Sequence, residues 1–424
     1  MSTPAVGPLV FAPGRYRWVV LGVGALGAGA FNSLRMGLPA VSPELRAAYG
    51  LSLSQVGLAF TALGVGVLVT LVPWGMLSDR IGERRVMAVG LCGVTGALLL
   101  AASVRTYPML LLAFVLAGMF GASATGASGR AVMGWFPRRE RGFALGIRQM
   151  ALPLGGAVAA LGLPALAALG GLQLAFLGLS AVTAAAAIAA AIWLRPPPPL
   201  PDWAAAAAAA MADEPPPTRD PRAWRLGAGS ALLVIAQAVL IGFLVLWLVD
   251  VHDWSPGLAA GALAATQVGG AVARIVAGRR SDRAGARLPM LRAIARRNAL
   301  LLAGLAVLAS TGSWVSIPLG LAATVSTMSW NGLAFTAAGE ISGRHRAGVA
   351  MSLQNTIVAM GTVVAPAAFG ALVAATSWQL GFALAAAAPA TAFVVLAPLV
   401  VDETARNERR ELRLAGAAAA ASPN

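Results

Sequence analysis

Four guanidinium groups, those of Arg35, Arg130, Arg148 and Arg274, lie inside long apolar stretches of the chain. A charged side chain at mid-bilayer costs about 2.5–3.5 kcal/mol or more unless it faces protein or water, so each of these residues needs a purpose. A guanidinium is a planar fork of donors that matches a carboxylate or a similar planar anion. Uncharged polar companions share the same kind of stretch: Asn32, Gln149, Gln237, Gln267, Asn331, and the neighbours Gln354 and Asn355. None of the sixteen acidic residues lies deep in such a stretch, and His252 and His345 fall between them. A buried acid is the usual proton carrier and cation ligand in a membrane, so the set favours an anionic solute over a cationic one. A membrane arginine also has a structural use, bonding backbone carbonyls or reaching its head toward the interface, and spacing alone leaves both uses open for Arg35 and Arg274.

These residues have to be held by helices that cross a bilayer. The 424 residues are 58% hydrophobic and 11% charged, with a mean hydropathy of +0.77, against roughly one-quarter charged in soluble domains. Apolar stretches that match or exceed the ~20 residues needed to span hydrocarbon recur along the chain. The pattern predicts an all-α membrane protein with twelve spans, near 18–40, 56–77, 86–104, 109–136, 143–168, 173–194, 226–249, 257–277, 298–313, 315–339, 348–375 and 379–401. The ninth is expected to begin earlier than 298, with Arg292, Arg296 and Arg297 on its cytosolic end. The spans group as an N-terminal six-helix half (1–194), a cytosolic proline-rich linker (195–225), a C-terminal six-helix half (226–401) and a cytosolic tail (402–424).

All 31 basic residues are arginines; with these spans 25 lie in segments that alternation puts on one side, and only Arg46 and Arg105 fall opposite. Positive charge resists translocation, which makes the crowded side the cytosol and puts both termini there, in a bacterial-type inner membrane. The formal charge of +15 does not point to nucleic acid, because the arginines are divided among short loops and do not form one basic face. The polar residues inside the spans keep to the first, fourth, seventh and tenth and to the second, fifth, eighth and eleventh, which is the distribution expected around a water-filled passage.

GMLSDRIGERR, from Gly75, returns as GRRSDRAGARL, from Gly278, at an offset of 203. RGFALGIRQMALPLGG, from Arg141, is echoed by AGVAMSLQNTIVAMGT, from Ala347, at an offset of 206. Parallel repeats of this kind build secondary transporters. The first copy resembles the motif Gly-x-Leu-x-Asp-Arg-x-Gly-Arg-Arg of the major facilitator superfamily, through Gly75, Leu77, Asp79, Arg80, Gly82, Arg84 and Arg85, with Glu83 where a basic residue is usual; the second keeps Gly278, Asp282, Arg283, Gly285 and Arg287. The resemblance implies a twelve-helix carrier working by alternating access, with Asp79, Arg80, Arg84, Asp282, Arg283 and Arg287 as gating residues. FNSLRMGLPAVSP in the first span looks like the Asn-Leu-Arg-Pro…Pro pattern of cyanate and nitroimidazole permeases, with Ser33 extra and Met36 in place of the first proline. ARIVAGRRSD in the eighth is similar to the stretch of an oxalate:formate antiporter in which an arginine eight residues before the motif aspartate contacts the anion, here Arg274. The glycine- and asparagine-rich signature of nitrate porters and the oxalate exchanger's lysine in span eleven are both missing.

The expected site is therefore a passage between the halves, with Arg35 and Arg274 as anion ligands supported by Asn32, Gln149, Gln237, Gln267 and Asn331. A neutral or amphipathic solute with structural arginines, or a non-transporting sensor on the same fold, are the competing readings. Gly22, Gly24 and Gly27 form a GxGxxG inside a span, where small residues serve helix packing rather than a dinucleotide. No catalytic set, metal cluster or cofactor is expected, and the partners expected are a small anionic solute and the lipid bilayer, without nucleic acid, for a monomer.

Overall fold

The computed structural model describes residues 14–136, 140–196, 217–341 and 343–405, with side chains throughout these except at 79, 141–143, 217, 343–349 and 352. Among the described residues every regular element is helical. The helices are α1 (Tyr16–Gly37), α2 (Ser42–Tyr49), α3 (Leu53–Ile81), α4 (Glu83–Ser103), α5 (Tyr107–Trp135), α6 (Arg141–Trp193), α7 (Pro221–His252), α8 (Pro256–Ala284), α9 (Leu288–Leu308), α10 (Ser316–Thr327), α11 (Asn331–Ile341), α12 (Gly343–Ala375) and α13 (Trp378–Val395), with a 3-10 turn at Leu38–Val41 between α1 and α2. Among the described residues nine stretches are long and apolar enough to cross a membrane. One of them, in α6, holds two rods that meet at Gly170-Gly171, where Gly171 takes φ 66°, a conformation that favours glycine. The ninth and tenth rods, α9 and α10–α11, are outside the nine: α9 carries three arginines, and the tenth rod is interrupted at Met328–Trp330. Twelve rods result. The ninth spans Leu288–Leu308: it begins before 298 as expected, with Arg292, Arg296 and Arg297 in its first half, and its helix ends at 308 rather than 313.

Short connections are set by local chemistry. Ser52 and Gln55 cap the start of α3 reciprocally, Ser255 and Ser377 accept from the first-turn N–H groups of α8 and α13, and Gly50 and Gly285 end their helices at φ 63° and 62°. The linker expected at 195–225 falls largely on 197–216, outside the described residues. The outer surface is apolar: Val158, Leu161, Leu169, Val307 and Val394 all stand exposed, as lipid-facing residues do.

The first six rods pack on one another and the last six do the same; the halves are joined chiefly by α3 with α12 and α6 with α8, and more lightly by α2 with α7. All of the joining contacts described below lie toward one end of the molecule, the far end, opposite the end where the described chain begins and stops. There the Thr61 hydroxyl donates to the Val363 carbonyl at 2.8 Å and accepts from the Ala367 N–H at 3.2 Å. A Cβ placed on Gly57 would fall 2.2 Å from the Pro366 carbonyl oxygen, and one on Gly64 would meet Val363 at 3.1 Å. Gly75 lies on the same helical face, five turns from Gly57, and a Cβ there would meet nothing within 4 Å. The second and eleventh rods therefore touch at the far end and diverge toward the near end, leaving a passage closed on one side.

Candidate functional site

Beside this contact the rods border a cleft of about 620 Å³, part of it open to solvent. Its wall takes Arg35 and Met36 from α1, Leu38 and Pro39 from the 3-10 turn, Phe60, Leu63 and Gly64 from α3, Val234, Gln237 and Ile241 from α7, and Thr362 and Pro366 from α12. Both halves thus contribute. Arg35 sits in the last turn of α1, where the carbonyl end of the helix dipole favours a cation. Among the described residues no hydrogen bond or ion pair engages its guanidinium. The Gln237 side-chain oxygen accepts from the Trp330 indole N–H at 3.1 Å, which leaves the amide N–H groups of Gln237 as its unspent polar atoms. Thr362 donates its hydroxyl to the Val358 carbonyl at 3.1 Å. The cleft presents a cation and amide donors within a largely apolar wall, and no carboxylate of the described residues lines it.

The remaining predicted ligands stand apart from that lining. Arg274 donates from Nε to the Met328 carbonyl at 2.7 Å and from Nη2 to Asn331 Oδ1 at 3.1 Å, so it and Asn331 engage each other at the interruption of the tenth rod. Asn32, one turn before Met36, spends its amide N–H on the Ala28 carbonyl of its own helix. Gln267 is fully buried where α8 meets the first half, with Nε2 3.9 Å from Met36 Sδ. Gln149 accepts from Arg148 at 3.2 Å; Arg148 is itself buried, donating to Ser128 Oγ and the Thr125 carbonyl. Arg130 donates to the Gly75 carbonyl at 3.0 Å.

A polar cluster between α9 and the tenth rod lies beyond the predicted site residues. Arg297, placed inside α9 by the longer helix, donates to Ser326 Oγ at 2.7 Å and Ser329 Oγ at 3.0 Å, and buried Asn298 accepts from Ser326. Trp330, 1% exposed, is packed and bonded and is absent from the cleft wall. The signal available was the serine-rich run STMSW beside a polar pair, Arg297-Asn298, one rod earlier.

A passage between two six-rod halves, closed at one end, is the architecture of one large group of carriers, and the model of the family described as Major Facilitator Superfamily matches residues 21–359. The chain belongs to the Major Facilitator Superfamily. It is a multi-pass membrane transporter, and it is 35% identical over 384 residues to an uncharacterized MFS-type transporter of Mycobacterium tuberculosis (strain ATCC 25618 / H37Rv), covering 90% of this chain and 85% of that protein. A probable sulfoacetate transporter of Cupriavidus necator is 30% identical over 176 residues, 39% of each chain. Among solved structures, a bacterial homologue of the human lysosomal transporter Spinster, inward-facing and occupied, superposes with a TM-score of 0.70 at 18% identity, covering 93% of this chain and 97% of that one.

Within the major facilitator frame, the two repeated loops lie at the near end. In the second, Arg287 pairs with Asp282 and reaches Glu340 at 3.3 Å. Burial alone would lower the Arg287 pKa, but Asp282 and Glu340 outweigh it and hold it above the ordinary value. Arg283 is exposed. In the first loop, Arg84 donates to the Ala191 carbonyl at 2.7 Å, Arg80 is exposed, and the Asp79 side chain lies outside the described residues.

Proposed function

We propose that this transporter carries a small organic or inorganic anion, cyanate- or carboxylate-like, across a bacterial inner membrane by alternating access, as a monomer with both termini cytosolic. The observation that carries the reading is an unoccupied cation set beside amide donors in a wall that is otherwise apolar apart from the Thr362 hydroxyl. Arg35 offers a guanidinium that no described residue occupies, and Gln237 offers amide N–H groups because its oxygen is already bonded. A cationic solute would meet a like charge without a carboxylate to offset it. A neutral solute would leave a desolvated cation beside it, which is costly.

Relatives point the same way: one is named for sulfoacetate, a small anion. In this reading Arg35 and Gln237 touch the solute, Asn32 and Gln267 line the path that opens when the far end parts, and Arg274, Gln149 and Asn331 position the helices around it. Asp79, Arg80, Arg84, Asp282, Arg283 and Arg287 hold the near-end loops through the cycle, with ion pairs made and broken as the halves rock.

One observation favours a second reading. Most of the wall is apolar, from Phe60 and Leu63 to Ile241 and Pro366, which suits an amphipathic solute as well as a compact one. A thermal-shift screen of the purified protein separates the two, because a solute that binds the folded state raises its apparent stability. Stabilisation by acetate, glycolate, cyanate or sulfoacetate, followed by uptake into proteoliposomes, supports the anion; stabilisation by neutral amphiphiles alone overturns it.

A further inference from the structure

We infer that Trp330 is a positioning residue for solute selection: its indole N–H orients the Gln237 amide so that the cleft is offered donors, and Arg274 holds the helix interruption that carries the indole. This rests on the anion reading above and adds the element that sets its polarity.

The amide of a glutamine is nearly symmetric in shape, so a half-turn of its end exchanges an acceptor for two donors at little steric cost. In a cleft shared with Arg35 the free choice would be the acceptor, because the positive field of the guanidinium draws the amide oxygen inward, where it would offset the charge that an anionic solute needs. An indole can only donate. With its nitrogen 3.1 Å from Gln237 Oε1, it holds the oxygen away from the cleft and turns the N–H groups toward it. Both partners are shielded from water, at 1% and 4% exposure, so solvent does not compete for the bond.

The indole is aimed by the interruption between α10 and α11. Met328 on one side of Trp330 and Asn331 on the other are both bonded to Arg274, and Ser326 and Ser329 are held from α9 by Arg297. The interruption is thus clamped from two neighbouring rods, and the chain of bonds runs from Arg274 through the Met328–Asn331 segment and Trp330 to Gln237 at the cleft. Arg274 acts through this chain and not as a ligand.

The test uses full-length protein in detergent with its tryptophan indoles labelled with ¹⁵N. The Trp330 signal is the one lost in Trp330→Phe. Gln237→Leu should shift that signal upfield, and Gln237→Glu, which keeps an oxygen for the indole, should leave it near its original place while abolishing binding of acetate, glycolate and sulfoacetate. In Trp330→Phe, binding of whichever of these anions stabilises the wild type should weaken about tenfold, with discrimination against acetamide narrowed and expression unchanged. A Trp330 signal indifferent to Gln237→Leu, or a Trp330→Phe protein with unaltered anion preference, overturns the role. If no anion in the panel binds the wild type, the anion reading falls, and the indole signal alone decides whether Trp330 orients Gln237.

Discussion

Arg46 and Asp250 join the two halves at the closed end: one guanidinium nitrogen lies 2.8 Å from both carboxylate oxygens, across 204 residues of chain. Arg46 is one of the two arginines that the charge pattern puts opposite the cytosol, and its partner ends the seventh rod. In the alternating-access reading, this pair is a latch that opens when the passage reaches the far side. The pair is partly exposed, at 39% and 24%, so it contributes only about 0.2–1 kcal/mol.

Arg46→Ala and Asp250→Asn should each move the resting population two- to fivefold toward the state open at the far end. The double variant should do no more than either single one, as partners in one interaction behave. A cysteine at Thr61 in a Cys92→Ser background reports the change by its rate of modification with an impermeant maleimide. Equal rates in all four proteins would dismiss the latch.

Gly57, Gly64 and Gly75 form a graded series along one face of α3. Gly57→Ala places a methyl 2.2 Å from a backbone oxygen, which no rotamer relieves, so the halves must part and uptake should fall at least about tenfold. Gly64→Ala meets only a valine side chain at 3.1 Å and should cost less than about threefold, and Gly75→Ala meets nothing and should transport normally. Uptake rates in a different order contradict the divergence of the two rods.

Glu403 accepts from the backbone N–H groups of Arg287 and Leu288, both at 2.9 Å, and so caps the start of α9 with a carboxylate from the end of the chain's last described helix turn. Glu403→Ala leaves those donors unpaired and should cost about 1 kcal/mol, a fall of roughly 1–3 °C in melting temperature. Glu403→Gln, which retains one acceptor, should lose less. Heating in detergent with intrinsic fluorescence measures both.

The architecture was readable because the signals for it repeat: apolar lengths, the two repeated loops 203 residues apart, and arginines crowded on alternate connections. The sequence also singles out Arg35, a cation near the end of an apolar helix, which lies in a wall shared by both halves. Arg274 carries the same signal in the sequence and engages two groups of the tenth rod. Its partners are a backbone carbonyl at Met328 and an amide at Asn331, and the interruption that exposes them has neither proline nor glycine within Met328–Trp330 to announce it. An earlier start of α9 was legible but its position was not, because three arginines depress hydropathy over a stretch that is helical from Leu288 onward. Arg297 is accommodated there by two serine hydroxyls of the neighbouring rod, a contact between distant segments that no local pattern encodes.

The central claim is that the Arg35 guanidinium meets the solute. Binding of acetate, glycolate, cyanate and sulfoacetate to wild type, Arg35→Lys and Arg35→Gln, measured by thermal shift on correctly folded protein, tests it most directly. If Arg35 holds the anion, at least one of these anions stabilises the wild type, the response weakens in Arg35→Lys, which keeps the charge but not the fork, and it vanishes in Arg35→Gln. An Arg35→Gln protein that still binds and transports the same anion as the wild type would contradict it.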